Sequence, residues 1–115
     1  MEVAYKFSGL DGKKGQTPIG GLTLDSAGNF YGTTEEGGNA ACFGYGGCGE
    51  IFKLAPDGSG WTLSTIATFD GAHGASPQGG VIIDGAGNLY GTASAGGDLN
   101  CNAPVGCGVV FEVTP

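Results

Sequence analysis

Residues Gly28–Thr33 read GNFYGT, and residues Gly87–Thr92 read GNLYGT. The phrases lie 59 positions apart, and sliding the chain by that offset brings much else into line without a gap. Pro18 falls on Pro77, Gly20-Gly21 on Gly79-Gly80, and Asp25 on Asp84. Gly37-Gly38 falls on Gly96-Gly97, Cys42 on Cys101, Cys48-Gly49 on Cys107-Gly108, Phe52 on Phe111 and Pro56 on Pro115. Upstream, Phe7 falls on Phe69 after a three-residue difference in the loop before the proline. Matches at this density define a tandem duplication. The first unit is 1–56, the second is 63–115, and DGSGWT (57–62) connects them within one structural domain.

Each unit reads as short strands divided by turn signals. Gly21–Asp25 (GLTLD) and Val81–Asp84 (VIID) are apolar runs that end in a turn-forming Asp. Asn29–Thr34 and Asn88–Thr92 follow, so Asp-x-x-Gly-Asn between the runs predicts a hairpin. Asp25, Gly28 and Asn29 carry that turn in the first unit, and Asp84, Gly87 and Asn88 in the second. Glu50–Ala55 and Val109–Thr114 are further strands. Their alternation, Ile51 and Lys53 against Phe52 and Leu54, predicts one buried face. Trp61–Phe69 is another strand, and Glu2–Phe7 is its counterpart at the start of the chain. No stretch carries a helical apolar period. The fold class is all-β, with two four-stranded antiparallel repeats of the propeller-blade type.

The strands do not divide evenly. Gly21–Asp25, Asn29–Thr34, Glu50–Ala55 and Trp61–Phe69 make a complete blade. Val81–Asp84, Asn88–Thr92 and Val109–Thr114 make only three strands of a second. The strand equivalent to Trp61–Phe69 is Glu2–Phe7, at the far end of the chain. Pairing of Glu2–Phe7 from one molecule with Val109–Thr114 of the next would complete the second blade and cover an exposed edge. Such a contact is head to tail and produces a ring or a fibre.

Composition narrows the function classes. The chain of 115 residues carries a net charge of −7 with only four Lys and Arg, so no basic patch exists to neutralise a nucleic-acid backbone. No apolar run approaches the roughly 20 residues of a membrane helix, so membrane insertion is not expected. The 26 glycines would suit disorder, but 40% hydrophobic residues argue for a packed fold with many tight turns.

The cysteines give the sharpest chemical signal. Cys42 and Cys48 are separated by five residues, and so are Cys101 and Cys107. Gly- and Pro-rich segments of that length can bring two cysteines within bridging distance. Disulfides Cys42–Cys48 and Cys101–Cys107 are therefore expected, which places the protein in an oxidising compartment. A four-cysteine zinc site and free thiols are the alternatives, although structural zinc favours about two to four residues between paired ligands. No metal or cofactor is expected. Asp25 and Asp84 could serve calcium, but each turn lacks further carboxylates, and acceptance of backbone N–H bonds is the favoured role. Glu35-Glu36 has no counterpart in the second unit, where Ser94-Ala95 stands. His73, with Asp70 nearby, lacks a recognisable nucleophile motif. Tyr31 and Tyr90 recur and read as packing residues. Phe43, Tyr45 and Trp61 do not recur and are the candidates for a binding face.

GGLTLDSAGNFYGTTEEGG with CGEIFKLAPDG, and GGVIIDGAGNLYGTASAGG with CGVVFEVTP, resemble the bacterial repeat family called GloVer. VAYKFSGLDG and TIATFDGAHG are similar to the strand that precedes the family's glycine loop. The resemblance spans nearly the whole chain. It implies a propeller-like β-repeat and export to the cell surface or beyond, with the signal peptide removed, and it transfers no catalytic residues. Two functions follow as expectations. The first is a non-enzymatic structural or interaction module whose partner is itself, joined through Glu2–Phe7 and Val109–Thr114. The second is a propeller that binds or processes carbohydrate, with a glycan as its ligand.

Overall fold

The computed structural model describes residues 1–7, 15–38 and 47–115. It is all-β, and no helix occurs among the described residues. The strands are β1 (Thr23–Leu24), β2 (Phe30–Thr34), β3 (Glu50–Asp57), β4 (Gly60–Thr68), β5 (Ile82–Ile83), β6 (Leu89–Ala93) and β7 (Val109–Val113). They form two antiparallel meanders, β1-β2-β3-β4 and β5-β6-β7. The residues 57–62 that link the two sequence units close the β3–β4 hairpin, with Asp57 opposite Gly60 and Gly58 at φ 62°. The first sheet thus takes its fourth strand from beyond the first repeat.

Register is identical in the two sheets at the 59-residue offset. Thr23 lies opposite Tyr31, and Gly32 opposite Phe52. Ile82 lies opposite Tyr90, and Gly91 opposite Phe111. The glycine of the recurring YGT has a steric reason. A Cβ on Gly32 would stand 2.7 Å from Cζ of Phe52, and one on Gly91 would stand 2.6 Å from Cζ of Phe111. Each phenylalanine ring lies over the glycine across the ladder, and no larger residue fits beneath it.

The sheets pack against each other through one face of each. Tyr31 and Ile51 of the first sheet share a core with Val81, Leu89, Ala93 and Phe111 of the second. Backbones meet closely at the inner strands. A Cβ on Gly20 would lie 2.5 Å from the carbonyl carbon of Gly79, which explains why glycine pairs precede β1 and β5. Hydrogen bonds cross this junction. Thr33 Oγ1 donates to the Gly79 carbonyl at 2.6 Å, Thr23 Oγ1 donates to the Val81 carbonyl, and Ser76 N–H donates to the Cys48 carbonyl at 2.7 Å.

Two expectations are corrected here. β3 is buried on both faces, not one: Ile51 points into the junction, while Phe52 and Leu54 are buried on the opposite face. The alternation of Ile51 and Lys53 with Phe52 and Leu54 fails as a guide because a neighbour covers each side. β1 and β5 are also shorter than the apolar runs that contain them, since pairing with β2 and β6 covers only Thr23–Leu24 and Ile82–Ile83.

Overpacking beneath the ring is testable. Gly32→Ala should destabilise the protein by about 1–3 kcal/mol in chemical denaturation. Adding Phe52→Leu to it should cost less than the sum of the two single changes. Strict additivity would show that the ring does not sit on the glycine.

Candidate functional site

The recurring turn is a network centred on one carboxylate. Asp25 Oδ1 accepts the N–H groups of Ala27 and Asn29, each at 2.9 Å. Its Oδ2 accepts from Asn29 Nδ2 at 3.0 Å and from the Tyr31 hydroxyl at 3.1 Å. Asp84 repeats every one of these bonds with Ala86, Asn88 and Tyr90. Gly28 and Gly87, at φ 89° and 87°, complete the turns in a left-handed conformation that suits glycine. The Asn29 amide N–H, foremost, holds the Asp25 carboxyl at about 2, and the Asn88 amide lowers that of Asp84. The Tyr90 hydroxyl lies 3.0 Å from both Asp84 Oδ2 and Glu112 Oε2. Those two acceptors, Asp84 first, raise its pKa to about 12.

A cleft of about 470 Å³ lies between the two turns, lined by Leu24, Asp25, Tyr31, Ile83 and Asp84. It is where a carbohydrate reading would look for carboxylates beside an aromatic ring. Both oxygens of each Asp are directed into their own turn. Among the described residues, no group of three or more His, Cys, Asp or Glu is arranged to hold a metal ion.

Cys101 and Cys107 form a disulfide with their Cα atoms 5.6 Å apart. Cys48 is also disulfide-bonded. Cys42, Phe43 and Tyr45 lie outside the described residues. Trp61, read as a binding residue, is half-exposed and packs against Phe30 with ring centroids 5.7 Å apart. The Glu35-Glu36 pair is part of a loop bridge, in which Gln16 Nε2 donates to Glu36 Oε2 at 2.7 Å. Ala75 and Ala95 form the same bridge 59 residues later, without side-chain polarity. His73 donates its backbone N–H to Asp70 Oδ1 at 2.8 Å, and its Nδ1 lies 2.8 Å from Oδ2, in an exposed turn. These bonds, the backbone one first, lower the Asp70 pKa.

The two sheets differ at the far edge of β7. Its counterpart β3 is flanked by β2 and β4. β7 is flanked by β6 alone, and no other strand among the described residues pairs with it. A cleft of about 520 Å³ runs beside this edge, lined by Val109–Val113 together with Ile51, Ala67 and Phe69. Glu2–Phe7, the counterpart of β4, belongs to no strand in the single chain. Its end is nevertheless held in place. The Phe7 ring meets the Phe52 ring edge-on at 5.3 Å, as Phe69 meets Phe111 at 5.1 Å. Phe69 directly follows β4, so Phe7 marks where a strand equivalent to β4 would end.

The turn carboxylates make a pH prediction. Both are depressed in the folded state, so their stabilisation is complete above the unfolded value of about 3.9 and is lost as pH falls toward about 2. Asp25→Asn with Asp84→Asn should lower Tm at neutral pH and flatten the fall of Tm across that acidic window. Parallel curves for the variant and the wild type would contradict the network.

No curated protein and no solved structure matches the chain. The chain does match, over residues 1–115, a family described as the Gloeobacter/Verrucomicrobia repeat, and it belongs to that family.

Proposed function

We propose that this protein is a non-enzymatic structural or interaction module, working outside the cell, that assembles with copies of itself head to tail. Its sheets act as propeller blades. Glu2–Phe7 of one molecule adds to the open edge of β7 in another and becomes the fourth strand of that blade. Repetition of this step gives a ring if the rotation divides a full turn, and a fibre otherwise.

One observation carries the reading: among the described residues β3 has an outer neighbour and β7 has none, and the segment equivalent to that neighbour lies in no strand. An exposed ladder edge is a template for strand addition. The Phe7–Phe52 contact supports this reading, because it anchors the base of that segment to its own molecule. The disulfide between Cys101 and Cys107 is consistent with the exterior location.

Removal of Met1–Lys6, which leaves Phe7 on Phe52, tests this. Light scattering should show assemblies for the wild type and monomers for the shortened chain at the same micromolar concentration, with similar circular dichroism. A well-folded wild-type monomer throughout that range would overturn the reading.

A further inference from the structure

We propose that the outer face of the second sheet, carrying Ile82, Thr92 and Val110, seats directly on the outer face of the first sheet of a second copy, where Pro18 and Leu22 are exposed beside Phe52, itself covered by Phe7. This rests on the head-to-tail reading above and adds to it a face-to-face junction, distinct from strand donation at the edge.

The template is the junction inside the chain. There Ile51 is 0% exposed and Val81 is 3% exposed. Their counterparts at the 59-residue offset are Val110, 81% exposed, and Leu22, 57% exposed. Pro77 is fully buried while Pro18 is exposed. Thr33 is buried while Thr92 is exposed. Each side of the mated junction thus has an unmated copy, and the two copies face away from each other across the sheet pair. One chain cannot bring them together, but two chains in sequence can. A surface that duplicates an interface already formed by the same residue pattern fits the other half of that pattern, which identifies the occupant as a second copy of this chain.

The copies also agree in detail. The junction bond from Thr33 Oγ1 to the Gly79 carbonyl becomes one from Thr92 to the Gly20 carbonyl of the second copy. The bond from Ser76 N–H to the Cys48 carbonyl becomes one from Thr17 N–H of the second copy to the Cys107 carbonyl. Ser76 and Thr17 share a left-handed backbone, at φ 54° and 61°, that is uncommon outside glycine, so the second donor is already set in the conformation of the first. Volume compensates too. Val110 is one methylene smaller than Ile51, and Leu22 is one larger than Val81. Ile82 replaces Thr23, so the hydroxyl bond to Val81 is exchanged for apolar contact by a side chain that is 69% exposed in the single chain.

The test uses two surface variants, Val110→Glu and Leu22→Lys, in sedimentation velocity. Both positions are exposed, so circular dichroism of each variant should match the wild type. Each alone should weaken assembly by roughly a hundredfold or more, the effect of one unpaired charge in a desolvated contact. Mixed in equal amounts they should assemble again, because the Glu face of one meets the Lys face of the other. Assembly of Val110→Glu at wild-type affinity would overturn the face-to-face junction. If that variant assembles normally while the chain lacking Met1–Lys6 does not, strand donation stands and this inference falls. If Val110→Glu is monomeric and the shortened chain still assembles, the face junction stands and strand donation falls.

Discussion

Each sheet of this duplicated fold buries its junction face only against the other sheet. Everything else in this structure follows from that constraint. Ile51 reaches complete burial because the second sheet lies over it, whereas Val110 is 81% exposed, with no sheet among the described residues over it. Among the described residues one such junction is buried, while Val110 and Leu22, the counterparts of Ile51 and Val81, are exposed. Apolar groups left in this state favour association, at about 25 cal/mol for each Å² removed from water. Unpaired ladder groups along β7 push in the same direction.

The local devices in each repeat serve that packing. The Asp carboxylate gathers backbone N–H groups into a tight turn and anchors the tyrosine that begins the YGT phrase. The glycine in the middle of that phrase admits the phenylalanine ring from the neighbouring strand. The glycine pair before the inner strand lets two backbones approach without side chains between them. Together they hold the inner strands at the spacing that the Thr33–Gly79 bond requires. Few charged groups take part, in keeping with a chain that is only 13% charged.

Much of this was legible in the sequence. The hairpin turns were readable because Asp-x-x-Gly-Asn has a specific backbone requirement. The division into four and three strands was readable by counting apolar runs in each repeat. The junction was not. Ile51 and Val110 look alike as residues, and only the presence or absence of a neighbour separates them. Alternation along β3 suggested one buried face because it cannot register cover on both sides. Trp61, a solitary aromatic in the sequence, is exposed and rests one side of its ring on Phe30. The recurring Gly20-Gly21 and Gly79-Gly80 pairs did hold a signal for close backbone approach, and that signal points to the place where the repeats meet.

The central claim is that β7 gains a strand from another molecule. Hydrogen exchange of the β7 amides as a function of protein concentration tests it most directly. The account predicts that amides of Val109–Val113 directed away from β6 exchange freely in dilute solution and become as protected as those of β3 when the protein is concentrated. Free exchange at these amides at every concentration, with the β6–β7 ladder protected throughout, would contradict it.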